Sequence, residues 1–213
     1  AILIGDGEIT FKQINELHLR CLEQGLSKSE FLRLATEIDG VYVPSIGNRT
    51  KRAVVQNLDA AYFPTSVLVP NCDIVHDRST IELFRGCANG CRFCQACFFY
   101  RPIRERKPDT LVRYATELMD NTGYDELSLC SLSTSDYSHL KEMVDGIKEQ
   151  ADKRKVKLAL PSLRLDSFEA EIYEETSGSS LTFAPEAGTQ RLRNVINKNI
   201  SEQDIYNSIK GAM

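Results

Sequence analysis

The residues best suited to chemistry in this chain are cysteines gathered in one short stretch. The 213-residue sequence contains seven cysteines, and those at positions 87, 91, 94 and 97 lie close together. Three residues separate Cys87 from Cys91, and two separate Cys91 from Cys94. Thiolates bind iron tightly, and the glycines at positions 86 and 90 favour a tight loop in which three thiolates converge on one cluster. Three ligands on a four-iron cube would leave one iron open to bind a small molecule.

Cysteines at this density have other uses, which depend on the redox compartment. In a secreted domain they would suggest disulfides, but the sequence has neither a signal peptide nor an apolar run long enough to span a bilayer. We therefore predict a cytoplasmic protein with metal or redox chemistry and no membrane association. A zinc site or a passive iron–sulfur site stays an alternative, although the three histidines are scattered along the chain. The isolated Cys21, Cys72 and Cys130 are predicted to be small buried residues.

Composition limits the class of protein further. Hydrophobic residues make up 42% and charged residues 26% of the chain, which predicts a packed core rather than disorder. A net charge of −4 does not favour binding to nucleic acid along the whole surface. The chain begins at Ala1 without an initiator methionine and ends at Met213 within a helical pattern, which indicates a piece of a longer protein.

Short apolar segments alternate with helical patterns from about residue 77 onward. The predicted strands are 81–84, 127–132, 155–160 and 180–184. The predicted helices are 111–119 with Asp109 as its cap and Gly123 at its end, 137–150, one from Ser167 through residue 173, 189–196, and one that begins at Ser201 with Asp204. This alternation predicts an α/β fold with a parallel sheet, in which the carboxyl ends of all strands share one edge. The cysteines and several polar residues follow these strands, as expected of a site.

The first third of the chain has a different pattern. Residues 1–8 predict a strand that enters a Gly-Asp-Gly turn, and residues 10–38 are helical in pattern with an interruption at Gly25. Ser27 or Ser29 would cap the second helix. Residues 39–75 are rich in glycine and proline and show little periodicity, which is typical of a linker.

The cysteine spacing, with the aromatic Phe93 directly before the third cysteine, is the signature of the radical S-adenosylmethionine (SAM) superfamily. Beyond this signature, the chain resembles an uncharacterised family of radical SAM proteins of the B12-binding type. The matching stretches are 85–96, 100–106, 129–137, 160–167 and 181–197, and residues 4–8 resemble the end of a cobalamin-binding-like domain. The resemblance implies a partial (β/α) barrel preceded by a short helical segment from such a domain. Its divisions would be 1–45 for the Rossmann-like tail and helical connector, 46–75 for a linker, and 76–213 for a truncated radical SAM core of four to five βα units.

The resemblance also implies a set of cofactor contacts. Cys87, Cys91 and Cys94 would hold a [4Fe–4S] cluster whose open iron takes the amino and carboxylate groups of SAM. The implied SAM contacts are the backbone near Phe93 at the adenine, Ser131 and Ser133 at the methionine amino group, Ser162 or Arg164 at the carboxylate, and Glu186 at the ribose. Cobalamin would fit the family, but no cobalamin ligand is recognisable in this chain.

Two features near the cysteines allow more than one interpretation. Cys97 stands where the family has a small residue such as glycine, and it would be an alternative ligand, a nearby thiol or, as we favour, a packed residue. The basic residues Arg101, Arg104, Arg106 and Lys107 would contact phosphate or RNA, or would form either a solvated face or ion pairs with Glu105, Asp109 and neighbouring residues. We favour the second interpretation, because the whole chain is acidic.

The function implied by the resemblance is that of a radical SAM enzyme, an iron–sulfur oxidoreductase or a methyl or methylthio transferase. It would cleave SAM reductively and generate a 5′-deoxyadenosyl radical with electrons from a reductant such as flavodoxin or ferredoxin. The substrate, RNA or a small molecule, and the oligomeric state stay open. The alternative is a non-enzymatic iron–sulfur electron carrier or a zinc-stabilised interaction module.

Overall fold

The computed structural model describes residues 1–161, 163–167 and 182–211. The chain divides into two compact units, Ala1–Tyr62 and Phe63–Met213. Within the described ranges, no helix combines the length and the apolar character needed to cross a bilayer.

The first unit is a helical pair closed by a short ribbon. Strands β1 (Ile2–Leu3) and β2 (Val41–Tyr42) pair antiparallel, and helices α1 (Gly7–Glu23) and α2 (Lys28–Ala35) lie between them in sequence. Of the two predicted caps, Ser27 is the correct one, because its side chain and that of Glu30 bond reciprocally to each other's backbone N–H. The apolar residues of both helices and of β2 share one small core.

The second unit is built on a parallel sheet, as predicted. Strands β3 (Ser79–Glu82), β6 (Glu126–Cys130) and β7 (Lys157–Ala159) lie side by side in that order. Helices α4 (Pro108–Thr122) and α5 (Leu140–Arg154) connect these strands, and their apolar faces join the sheet in one core. Leu127 and Leu129 on the central strand are fully buried in this core, which holds the carboxyl ends of the three strands at one edge.

The first predicted strand, 81–84, proves to belong to two elements. The parallel sheet ends at Glu82, and Phe84–Arg85 forms β4, which pairs antiparallel with β5 (Arg104–Glu105). The chain thus leaves the sheet just before the cysteines. Of the predicted strand 180–184, residues 182–184 are irregular and the other two lie outside the described residues.

Helix ends follow local signals with one exception. Gly123 ends α4 in the left-handed conformation, as predicted, but its N-cap is Lys107 rather than Asp109, because Pro108 occupies the first helical position and starts the helix earlier. Thr189 caps α6 (Gln190–Val195) through the backbone N–H of Leu192. The elements α3 (Ala96–Phe99) and α7 (Glu202–Gly211) complete the described helices. The helix predicted after Ser167 lies outside the described residues.

Candidate metal centre

The cysteine loop, residues 86–95, leaves the sheet edge through the antiparallel pair β4–β5. Gly86 begins it with φ +106°, a conformation that favours glycine. A Cβ at this position would lie 2.9 Å from the Cα of Ile103 and 3.0 Å from the carbonyl oxygen of Tyr100. The loop therefore needs glycine here, because the backbone that returns to β5 passes directly against it.

The three thiols of the signature are all free, and they differ in exposure. Cys91 is buried, whereas Cys87 and Cys94 are partly exposed. Over the part of the chain that the structure describes, no three His, Cys, Asp or Glu side chains form a group positioned to hold a metal ion. The structure thus holds the three thiols on one short loop without gathering them around one point.

The other cysteines separate into packed and exposed residues. Cys97 on α3 is 2% exposed, and its Sγ lies 3.9 Å from the carbonyl oxygen of Cys94, which agrees with the packing interpretation. Cys21 is buried as predicted. The prediction of burial is wrong for Cys72 and Cys130, which are exposed. Cys130 ends β6 at the edge of the parallel sheet, where desolvation and the nearby Glu82 carboxylate raise the pKa of its thiol.

A clasp formed by residues 195–197, at the end of α6, holds the far side of the cysteine loop. The Nδ2 of Asn197 donates to the carbonyl oxygen of Gly90 at 2.9 Å and to that of Asn89 at 3.5 Å. The backbone N–H of Arg92 donates to the carbonyl oxygen of Ile196 at 2.9 Å. The guanidinium of Arg92 also bonds the carbonyl oxygen of Val195. These contacts satisfy backbone groups that a loop of this kind would otherwise leave to water.

A polar bridge, Asn89–Asp136–Arg164, links the loop to the segments that follow β6 and β7. The Nδ2 of Asn89 lies 3.5 Å from the Sγ of Cys87 and 2.6 Å from the Oδ2 of Asp136. The other carboxylate oxygen of Asp136 lies 3.8 Å from the Nε of Arg164. The side chains of this bridge therefore connect the cysteine loop with the segments after β6 and β7, next to the predicted cluster ligand Cys87.

Arg164 is held rigidly at its end of the polar bridge. Its side chain is 10% exposed and forms two bonds to the Asp166 carboxylate, at 2.9 and 2.5 Å, while its backbone N–H donates to the Oγ of Ser135. Burial alone would lower the pKa of this guanidinium, but the bonds to Asp166 and the negative charges of Asp166 and Asp136 outweigh burial, so the pKa is raised. Arg164 therefore stays a cation beside the cysteine loop.

The remaining predicted SAM contacts have varied surroundings. Phe93 is 55% exposed at the tip of the loop. The Ser131 hydroxyl bonds Thr134 and accepts the backbone N–H of Ser133, whose own Oγ is buried without a hydrogen-bond partner among the described residues. Glu186 has φ +66° and forms an ion pair with Lys198 at 3.4 Å. Ser162 lies outside the described residues.

The basic stretch after the loop is largely structural. Arg106 is 1% exposed and bonds the carbonyl oxygen of Glu82 at 3.1 Å, and its guanidinium also lies over aromatic rings. Arg104 is also buried and bonds the carbonyl oxygen of Pro102. These two arginines do not form a solvated face. Arg106 does form an ion pair, as the favoured interpretation allowed, but its partner is Glu82 rather than Glu105 or Asp109. A guanidinium cation is stable at this depth only where a carboxylate and carbonyl oxygens accept its hydrogen bonds.

A cavity of about 340 Å³ opens beside Cys87. Its walls combine apolar and acidic side chains with the first cysteine: Phe84, Cys87, Ala88, Ile103, Glu105, Asp136 and Ser138. The Glu105 carboxylate is held there by the backbone N–H and the hydroxyl of Ser138, both at 3.1 Å. A cavity of this size with two carboxylates would accept part of a ligand that carries positive charge.

The donor set fits an iron–sulfur cluster. Three free thiols lie on one eight-residue stretch, a glycine at position 90 with φ +59° allows a tight bend between them, and an amide N–H already lies at the first sulfur. Sequence reasoning missed Asn89 and Asp136 as site residues. Asp136 follows a predicted strand, so its position at the sheet edge could be predicted. Nothing in the sequence around Asp136 indicates that Asn89 is its partner.

Comparisons with known proteins identify the superfamily of the chain. The family model of the radical SAM superfamily matches residues 81–212. An uncharacterised protein of Methanocaldococcus jannaschii is 31% identical over 174 residues, which cover 81% of this chain and 38% of that protein. The cytidylyl-2-hydroxyethylphosphonate methyltransferase of Streptomyces wedmorensis is 28% identical over 131 residues, or 60% of this chain and 24% of the enzyme. The chain thus spans well under half the length of either relative. Its family model covers more than half of the chain, and the chain belongs to the radical SAM superfamily.

Proposed function

We propose that this chain is the core of a radical SAM enzyme in which Cys87, Cys91 and Cys94 hold a [4Fe–4S] cluster. The single observation that carries the proposal is the match of residues 81–212, cysteine loop included, to the superfamily model. When bound, the cluster and SAM would together supply reductive cleavage of a carbon–sulfur bond and a 5′-deoxyadenosyl radical.

The residues of the chain would place SAM between the cysteine loop and the ends of the parallel strands. The backbone near Phe93 would lie beside the adenine, and the cation Arg164 would attract the SAM carboxylate. Ser131, Ser133, Ser162 and Glu186 are further proposed contacts at the amino group, carboxylate and ribose. The cavity beside Cys87 supports this placement, because its Glu105 and Asp136 carboxylates would favour the positive charge of SAM.

The outcome of the reaction and the rest of the protein are also proposals. The name of the Streptomyces relative favours methyl transfer over other outcomes, whereas nothing in this chain supports a cobalamin ligand. We propose residues 1–45 as the tail of a cobalamin-binding-like domain with its connector, 46–75 as a linker and 76–213 as part of a partial barrel. A flavodoxin or ferredoxin would deliver electrons, and RNA or a small molecule would be the substrate.

Anaerobic turnover tests the proposal directly. The full-length protein is reconstituted with iron and sulfide, mixed with dithionite and SAM, and analysed for 5′-deoxyadenosine by mass spectrometry. We expect this product from the unmodified protein and none from a Cys87→Ala control. An intact cluster that yields no 5′-deoxyadenosine would favour the electron-carrier alternative, and zinc without iron in the purified protein would favour an interaction module.

A further inference from the structure

The side-chain amide of Asn89 occupies an unusual position between two acceptors. One lies 3.5 Å away, the Sγ of Cys87, and the other lies 2.6 Å away, the Oδ2 of Asp136. A primary amide has two N–H donors, so both acceptors can be served at once. The N–H that faces sulfur is thereby oriented by the carboxylate that binds the other N–H.

The carboxylate in turn is fixed by its own surroundings. Asp136 belongs to a short 3-10 turn, Thr134–Asp136, and its second oxygen faces the Arg164 guanidinium at 3.8 Å. Arg164 is itself held by two bonds to Asp166 and by Ser135. The orientation of the Asn89 amide is therefore set by three segments of the sheet edge and not by the loop alone.

Hydrogen bonds to the sulfurs of an iron–sulfur cluster are one of the factors that set its reduction potential. A donor stabilises the more negative, reduced state more than the oxidised state, because the electron added on reduction is partly carried by the sulfurs. Losing such a donor makes the cluster harder to reduce.

We infer that Asn89, oriented by Asp136, is a positioning residue that donates an N–H to the Cys87 sulfur and raises the reduction potential of the cluster. The inference rests on the proposed function in one respect, that Cys87 is a cluster ligand. It assigns a role to a loop residue that the superfamily signature leaves unspecified.

The experiment measures the midpoint potential of the reconstituted full chain by redox titration, followed by electron paramagnetic resonance of the reduced cluster. Asn89→Leu and Asn89→Ala both remove the N–H donors, with and without retention of side-chain volume. We expect iron content to stay near that of the unmodified chain and the equilibrium constant for one-electron reduction to fall about tenfold, which corresponds to a shift of about 59 mV to more negative potential.

Asn197→Gly is the matched control. It removes the amide that bonds the carbonyl oxygens of Gly90 and Asn89, and it keeps the left-handed backbone of residue 197, where φ is +56°, free of strain. It loosens the same loop without touching the donor to sulfur, so its potential should stay unchanged.

The outcomes separate the two proposals. An unmodified chain that takes up no iron–sulfur cluster would contradict the proposed function itself. A cluster whose potential is the same in both Asn89 variants would overturn only the present inference. So would an equal shift in Asn197→Gly, which would trace the effect to loop mobility, or a complete loss of cluster in both Asn89 variants, which would make Asn89 an assembly residue.

Discussion

The parallel sheet and the cysteine loop adjoin each other in the second unit, yet different forces hold them. The sheet and its helices α4 and α5 share a core in which residues such as Leu127, Leu129 and Met143 are fully buried. In the loop, Cys91 is buried but Phe93 is exposed, and polar contacts to Asn197 and Asp136 fix its path. The sheet is stabilised by area removed from water, and the loop by a few directed hydrogen bonds.

This difference separates stability from function. Directed bonds contribute about 1 kcal/mol each, so the loop can adjust its thiols without unfolding the sheet below. Close packing gives the sheet much less freedom, because a core responds to the loss of even single methylene groups. We therefore expect substitutions in the sheet to lower the free energy of unfolding, and substitutions in the loop to act mainly on the cofactor, through either its retention or its reduction potential.

The largest expected effect is the loss of the cluster when a ligand is removed. Cys87→Ala, Cys91→Ala or Cys94→Ala should each abolish iron–sulfur incorporation, because each removes one of the three thiolates proposed to hold the cluster. Cys97→Ala should keep the cluster, since that side chain on α3 is buried at 2% exposure. Iron and sulfide per chain after anaerobic reconstitution give the measurement, and cluster loss in the Cys97 variant would overturn the ligand assignment.

A substitution in the sheet should lower the stability of the fold, which is a different effect from the loss of the cluster. Leu129→Ala on the central strand, where the side chain is fully buried, should lower the free energy of unfolding by about 3 kcal/mol. Leu132→Ala is the control, because Leu132 is 47% exposed and should cost less than about 0.5 kcal/mol. Urea denaturation of the cluster-free chain compares them, and equal costs would contradict the packing account.

Gly86 begins the cysteine loop and therefore lies at the joint between the loop and the sheet region, which substitution can test. Gly86→Ala forces a Cβ to within 2.9 Å of the Ile103 backbone at a φ of +106°, so we expect a loss of about 2 kcal/mol together with poorer cluster retention. Gly188→Ala is matched to it, because no atom of the described residues lies within 4 Å of a Cβ at that position. Denaturation midpoints and iron content are measured on both variants, and a Gly86 variant as stable as the Gly188 variant would show that the joint tolerates a side chain.

Removing a contact of the clasp should loosen the cysteine loop with little effect on the stability of the sheet. Asn197→Gly removes the bonds to the carbonyl oxygens of Asn89 and Gly90, at a cost of about 1 kcal/mol. Limited proteolysis should nevertheless cut the cysteine loop several times faster than in the unmodified chain. Unchanged cleavage would mean that the ribbon β4–β5 alone holds the loop.

The smallest expected effect concerns the N-terminal cap of α7, in which Ser201 bonds Asp204. Hydrogen bonds from the Ser201 backbone and hydroxyl lower the pKa of Asp204. The contribution of this cap is therefore present above the ordinary pKa of an aspartate, about 3.9, and is lost as pH falls through the lowered value. Amide exchange in α7 should accelerate below that pH by no more than a few-fold, and Asp204→Ala should remove this dependence.

The comparison also shows which parts were predictable. Cysteine spacing indicated the donor set, and the alternation of strand and helix patterns predicted the parallel sheet with its helices. Local rules limited the cap to Ser27 or Ser29 and placed the helix end at Gly123, since each depends on residues within one turn. The separate β4–β5 ribbon was not predicted, because a change of pairing partner within residues 81–85 leaves no mark on hydrophobic periodicity.

What the sequence determined by itself is therefore the chemistry: three cysteines at a fixed spacing, ahead of alternating strands and helices that bring polar residues to one edge. The tertiary structure decided which other polar residues pair with one another near the cysteine loop and the sheet edge. Asn89 meets Asp136 from 47 residues away and Asn197 from 108, and Arg106 is buried against Glu82 although its neighbours in sequence are polar. Such pairs form because buried or constrained polar groups must find partners, and the chain can supply those partners only after it has folded.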